Sequence, residues 1–235
     1  MRRWLAVTAA ALLLGACGQV AAAGAGESAV RAPAADRVAT EAKGLKTAIF
    51  AGGCFWGIEG VFSHVKGVKS AVSGYHGGTS ADATYASVST GQTRHAEAVK
   101  ITYDPAVIRY DQLLRIFFSV GADPTQLNRQ GPDTGTQYRS ALVPLGKEQA
   151  AVARAYLAQL DQAKLWDKPV VTRIEAAATF YPAEAYHQDF MAKNPRHPYI
   201  LRWDAPKVKA LGALSPITTG RVFGQADCRA VRVRL

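Results

Sequence analysis

Hydrophobic spacing changes period several times along the chain, and each change marks an element. Thr47-Ala48-Ile49-Phe50-Ala51 is a short apolar run ended by Gly52-Gly53, the pattern of a strand and its turn. Helical spacing follows at once, with Phe55, Ile58, Phe62 and Val65 on one face. Cys54 therefore stands where a strand turns into a helix. Over residues 97–103, Val99, Ile101 and Tyr103 alternate with Ala98, Lys100 and Thr102, and Asp104-Pro105 stops the strand. Tyr110, Leu113, Leu114, Phe117 and Phe118 form a second helical stripe. Residues 137–143 and 170–176 read as strands, 147–164 as a strong helix and 181–193 as a final short helix. Strands mixed with helices in one body predict a two-layer α/β or α+β domain, with strand order left open.

The two ends of the chain read differently. Arg2 and Arg3 precede an apolar run, residues 4–14, too short to span a bilayer, and Gly15-Ala16-Cys17 follows. Residues 1–17 are thus expected to be a signal peptide. Leu14-Gly15-Ala16-Cys17 resembles the bacterial lipobox, which makes Cys17 the lipidated N-terminus; the other reading is an ordinary cleaved signal with an incidental cysteine. Gly18 rather than Asp after the cysteine points to an outer-membrane anchor on the periplasmic face. If unlipidated, the protein is expected to be soluble in the periplasm. Residues 18–45, rich in Ala and Gly at the start, are expected to be a flexible tether. One domain is expected over residues 46–207, and a basic tail over 208–235.

Composition trims the possibilities. With 235 residues, 49% hydrophobic and 20% charged, the chain is neither disordered nor a multi-span membrane protein. Its three cysteines, Cys17, Cys54 and Cys228, lie too far apart to suggest a disulfide scaffold. The formal charge is +10, but Arg2 and Arg3 belong to the leader. The remaining Lys and Arg are scattered, with the densest cluster, Arg221, Arg229, Arg232 and Arg234 against Asp227, in the tail; together with the export signal this argues against nucleic acid as a partner. No Cys-x-x-Cys or His-x-x-x-His appears, so no metal site is expected.

The chemistry concentrates around Gly52-Gly53-Cys54-Phe55-Trp56-Gly57. Paired glycines permit a sharp turn, and a helix N-terminus favours thiolate over thiol. The same residues also suit a buried structural cysteine beside two core aromatics. Further motifs follow in order: Thr84-Tyr85, His95-Ala96-Glu97-Ala98-Val99, Gly135-Thr136-Gln137-Tyr138-Arg139-Ser140 and Asp189-Phe190-Met191-Ala192-Lys193-Asn194-Pro195. Together with the Cys54 segment they resemble the peptide methionine sulfoxide reductases of the A type, over residues 47–207. That resemblance implies an α+β, two-layer mixed-sheet domain with flanking helices, acting on the S epimer of methionine sulfoxide, free or in proteins.

The resemblance also implies residue roles. Cys54 is the nucleophile and passes through a sulfenic acid. Glu97 is the general acid toward the sulfoxide oxygen, Tyr85 and Tyr138 hydrogen-bond that oxygen, and Asp133 orders the polar side. Phe55 and Trp56 hold the S-methyl group. The chemistry agrees, because oxygen leaves sulfur only when protonated and a methyl needs an apolar wall. No bound cofactor is implied, only an external reductant, a thioredoxin-like protein or a small thiol. The substrates would be oxidised exported proteins, and the enzyme is expected to be monomeric.

Three positions depart from the family pattern. Arg94 precedes His95 where Gly is expected, and Ala122 precedes Asp123-Pro124 where many relatives carry His. Tyr199 stands where a recycling cysteine is sought, after Lys193-Asn194-Pro195-Arg196-His197-Pro198. Cys228 in the tail is then either a resolving thiol or an incidental one. Two other classes stay open from the residues alone: a Cys–His acyl hydrolase using His95 or His187 as base, and a lipid-anchored binding module.

Overall fold

The structure, a computed structural model, describes residues 30–214. Cys17 and Cys228, with the expected signal peptide and most of the expected tail, lie outside the described residues. The elements in chain order begin β1 (Lys46–Gly52), α1 (Phe55–Ser63), β2 (Val68–His76), α2 (Tyr85–Val88) and β3 (Ala96–Tyr103). Then come α3 (Tyr110–Ile116), continued by a π-turn over Phe117–Gly121, and a small hairpin, β4 (Arg129–Gln130) and β5 (Asp133–Thr134). β6 (Ser140–Val143), α4 (Lys147–Ala163), β7 (Arg173–Ile174) and β8 (Phe180–Pro182) complete the middle. Last are α5 (Phe190–Lys193), a second π-turn (Ile200–Asp204) and α6 (Ala205–Gly212).

The main sheet runs β7-β6-β1-β3-β2-β8, antiparallel throughout except between β6 and β7. β1 and β3 are central, which explains the apolar run of β1: it is buried on both faces. Ala48, Phe50, Val99, Ile101 and Tyr103 face the helices, packed with Phe62, Tyr110, Leu113, Phe117 and Tyr156. Ile49, Ala51, Ala98, Ala141 and Val143 form a thinner layer on the opposite face, capped by Phe180. This is the α+β, mixed-sheet arrangement expected.

Several local expectations change. β2 carries no clear alternation, because a bulge between Val68 and Ser70 breaks its period and because Ser73 and Gly74 are buried small residues. A side chain at Gly74 would lie 2.4 Å from the Phe180 ring and the Tyr181 carbonyl, so close strand packing selects glycine there. The strand expected over 137–143 starts only at Ser140, after a 3-10 turn (Thr136–Tyr138). The strand expected over 170–176 shrinks to Arg173–Ile174. The helix expected over 181–193 divides into β8, turns and α5, because Phe180–Pro182 pairs with the edge of β2.

The largest correction concerns the expected tether. Residues 30–45 are not loose: they run as a strap over α3 and α4. Ala32 donates its N–H to Ser119 Oγ and Ala39 to Asp111 Oδ1, at 3.1 and 3.0 Å. Tyr156 donates its hydroxyl to the Pro33 carbonyl at 2.7 Å. Glu41 accepts from the Tyr103 hydroxyl and, at 2.9 Å, from the Tyr110 N–H. Ala32 and Ala39 are buried. Small side chains that look like a linker in sequence are here what lets the strap lie close to the helices. The folded body therefore begins before residue 46, and α6 carries it past residue 207.

Candidate active site

The turn from β1 into α1 builds the centre of the site. Gly53 adopts φ +89°, and a Cβ there would sit 2.4 Å from the Gln130 side chain, so the turn requires glycine. Cys54 follows as the N-cap residue of α1. Its side chain makes no regular capping hydrogen bond, although the Trp56 N–H in the first turn lies close enough to favour the ionised sulfur.

Glu97 reaches this turn from β3. It is 2% exposed, and its Oε2 accepts the N–H of Phe55, the residue next to Cys54, at 3.0 Å. Burial is the main influence on its carboxyl and Asp133 and Asp204 add to it; against the Phe55 N–H, they push its pKa up to about 8. At neutral pH Glu97 is held as an acid, the state that proton donation requires.

Two tyrosines enter from separate segments. Tyr85 opens α2, and its N–H is held by Glu184 Oε1 at 2.8 Å while Tyr75 donates its hydroxyl to Oε2 of the same carboxylate at 2.8 Å. Tyr138 ends the 3-10 turn, which Arg139 anchors. Arg139 donates to Glu175 (2.6 and 3.1 Å), to the Thr136 carbonyl (3.0 Å) and to the Arg94 carbonyl (3.1 Å). The backbone before His95, where Arg94 replaces the expected Gly, is thus tied to the loop that carries Tyr138. Burial first, then the negative charge of Glu97, raises both tyrosine pKa values, so both hydroxyls stay donors.

The apolar wall is Trp56. It is half-buried, stacks on Phe190 at 3.7 Å and 8°, meets Tyr199 edge-on at 5.9 Å, and donates Nε1–H to His187 Nδ1 at 3.0 Å. Phe55 lies deeper, between Tyr75 and His187, with ring centroids 5.9 and 5.0 Å away. It backs the wall more than it forms its face.

Asp133, on β5, accepts the hydroxyl of Tyr199. The two border a cavity of about 100 Å³ that reaches Cys54 and is also lined by Trp166, Trp203 and Lys207. The position where a recycling thiol was sought therefore holds a hydroxyl bonded to a site carboxylate. Cys54 is the one cysteine among the described residues.

One expectation reverses. The helix N-terminus was expected to lower the Cys54 pKa, yet burial pushes the thiol well above its ordinary value, and Glu97, Asp204 and Asp133 add to this. The backbone N–H of Trp56 acts the other way but is outweighed. The balance at Cys54 therefore lies toward the thiol.

Sequence reading missed Glu184 and Asp204, and it named His187 only as a possible hydrolase base and Phe190 only within a motif. Glu184, His187 and Phe190 lie in a stretch read as one helix, so their separate directions were hidden. Asp204 lies beyond the last motif, where no periodicity drew attention. His95 is occupied elsewhere, its Nε2 2.9 Å from the Thr79 carbonyl and its Nδ1 accepting from Gly78 N–H at 3.2 Å. It cannot serve as a base for Cys54.

Comparison with known proteins agrees with this geometry. Residues 46–213 match the family described as Peptide methionine sulfoxide reductase. Peptide methionine sulfoxide reductase MsrA 2 of Mesorhizobium japonicum is 59% identical over 175 residues, covering 74% of this chain and 90% of that protein. The MsrA 2 of Synechocystis is 54% identical, covering 73% and 80%. Among solved structures, reduced Mxr1 of Saccharomyces cerevisiae aligns with a TM-score of 0.58 at 34% identity, covering 68% of this chain and 90% of that one. Methionine sulfoxide reductase A of Corynebacterium diphtheriae gives 0.56 at 32%, covering 72% and 90%. The acyl-hydrolase and binding-module readings find no support in these relatives. The family match over residues 46–213, with relatives at 59% and 54% identity, places the chain in the peptide methionine sulfoxide reductase family.

Proposed function

We propose that the protein reduces methionine S-sulfoxide, free or in proteins, with Cys54 as nucleophile and Glu97 as proton donor. The observation that carries the reading is the Glu97–Phe55 hydrogen bond, which sets a protonated carboxyl beside the Cys54 turn. Trp56, backed by Phe55, receives the S-methyl group, while Tyr85 and Tyr138 donate to the sulfoxide oxygen. Asp133 orders the polar side through Tyr199.

Cys54 sulfur attacks the sulfoxide sulfur as Glu97 gives its proton to the oxygen. The thiol proton returns to Glu97. Collapse breaks the sulfur–oxygen bond of the substrate, releases methionine and leaves the hydroxyl on Cys54 as a sulfenic acid. One thiol of an external reductant forms a mixed disulfide and water. A second thiol then releases Cys54 as a thiol and leaves the reductant oxidised. The reductant is a thioredoxin-like protein or a small thiol, and Cys228 is a further source of the first thiol. Cys17 is the lipid attachment site, holding a monomeric enzyme at the periplasmic face of the outer membrane, where it repairs exported proteins.

The test is turnover of dabsylated methionine sulfoxide, S against R epimer, with thioredoxin, glutaredoxin or dithiothreitol as donor. S-specific turnover that Cys54→Ser abolishes is expected, and full turnover in Cys54→Ser would sink the reading. One equivalent of sulfoxide without donor, followed by mass mapping, decides the resolving thiol. A Cys54–Cys228 disulfide supports Cys228, and a Cys54 sulfenate with free Cys228 removes it.

A further inference from the structure

Asp204 ends the π-turn that follows the Tyr199 segment, and it is 1% exposed. It lies against the first turn of α1: a Cβ added at Gly57 would stand 2.3 Å from its Oδ1. Gly57 is the third residue of the helix that Cys54 caps. The positive end of α1 thus meets a carboxylate on one side and the cysteine sulfur on another.

The surroundings sharpen the competition. Facing Cys54 are Glu97 from β3, Asp133 from β5 and Asp204, and the hydroxyls of Tyr85, Tyr138 and Tyr199 also share its field. Burial raises the pKa of Asp133, against the Tyr199 hydroxyl and the charge of Lys207 on α6, which borders the same cavity. Glu59, further along α1, turns away to accept the Asp189 N–H at 3.1 Å. His187 is engaged with Trp56, and Arg202 lies over the Trp203 ring, its guanidinium carbon 5.1 Å from the centroid. In so dry a space, one ionised acid raises the cost of ionising the next.

We propose that Asp204 is a positioning residue for the reaction: buried against Gly57, its carboxyl fills the side of the first turn of α1 and governs how readily Cys54 and Glu97 release their protons. The gain is twofold. Attack on a sulfoxide needs a proton on the departing oxygen, and a site that stores protons on both groups can deliver one and replace it at once. A thiol also resists stray oxidation and alkylation better than a thiolate, which matters where no second cysteine is described beside Cys54.

The inference rests on Cys54 being the nucleophile, but its test does not need turnover. The rate of Cys54 alkylation by iodoacetamide is followed against pH on the full chain, with peptide mapping to separate Cys54 from Cys17 and Cys228. Asp204→Asn keeps the volume and removes the charge. It is expected to move the alkylation midpoint down by about one pH unit or more, roughly tenfold faster labelling at a fixed pH below both midpoints. The alkaline limb of kcat/KM, set by loss of the Glu97 proton, should move in the same direction. A packing defect would lower amplitudes and leave both midpoints in place, and unchanged midpoints overturn the proposal. If Asp204→Asn fails to fold, Gly57→Ala decides, because its methyl displaces the carboxylate while the charge stays in the chain. A lower midpoint supports the proposal and an unmoved one overturns it. Should the midpoint move in an enzyme that reduces no sulfoxide, the reductase reading fails while this inference stands.

Discussion

At the residue scale, Glu97 works against the fold that holds it. Its carboxyl ionises near its ordinary value in the unfolded chain but only at about 8 in the folded one. Above the unfolded pKa the unfolded chain carries the charge freely and the native site does not. Native stability therefore falls as pH rises from about 4.5 to about 8 and levels off beyond. Glu97→Gln keeps an acceptor for the Phe55 N–H and removes the charge. We expect it to lower kcat by about 10²–10⁴-fold while stabilising the fold at pH 8 by roughly 1–3 kcal/mol. Thermal melts at pH 4 and pH 8 check the second part: the gain should vanish at pH 4. In the wild-type enzyme kcat/KM should fall above about pH 8 as the acid loses its proton.

At the scale of elements, the strap over residues 30–45 ties the N-terminal segment to α3 and α4 through polar groups that would otherwise be stranded. The hydroxyl of Tyr103 is buried in the core side of β3 and finds Glu41, while Glu41 also takes the free N–H at the start of α3. Glu41→Ala should cost about 1–3 kcal/mol, read as a fall of several degrees in the melting midpoint. A loose tether would show no change. None of this was visible in the chain, because Ala, Pro and Gly leave no periodicity and their partners lie 62 or more residues away. The regular elements were legible for the opposite reason. β1, β3, α1, α3 and α4 each carry a complete apolar face, whereas β2, β7 and β8 owe their pairing to neighbours and to close packing at Gly74.

At the scale of the whole molecule, the strap shortens the proposed link to the membrane. Between Cys17 and the first described residue lie residues 18–29, which reach at most about 40 Å when fully extended. The body would work near the surface that anchors it. The anchor itself predicts that the full chain partitions into the detergent phase on cloud-point extraction and that Cys17→Ser moves it to the aqueous phase. Partition of both into water would remove the lipid from the picture.

The candidate site was legible wherever a residue type at a fixed local spacing states its chemistry: a cysteine after paired glycines, aromatics beside it, an acid at the start of a strand, and tyrosines in turns. Those are short-range features, and they also identified the family. What the tertiary structure alone decided is which groups share one dry space. Burial first raises the pKa of both groups; Asp133 and Asp204 add to it for Glu97, and Glu97 and Asp204 for Cys54, against the helix field that local sequence predicts. Charge interactions in a low dielectric depend on separation in space, not on separation along the chain. No spacing rule could have placed Asp204 beside Gly57.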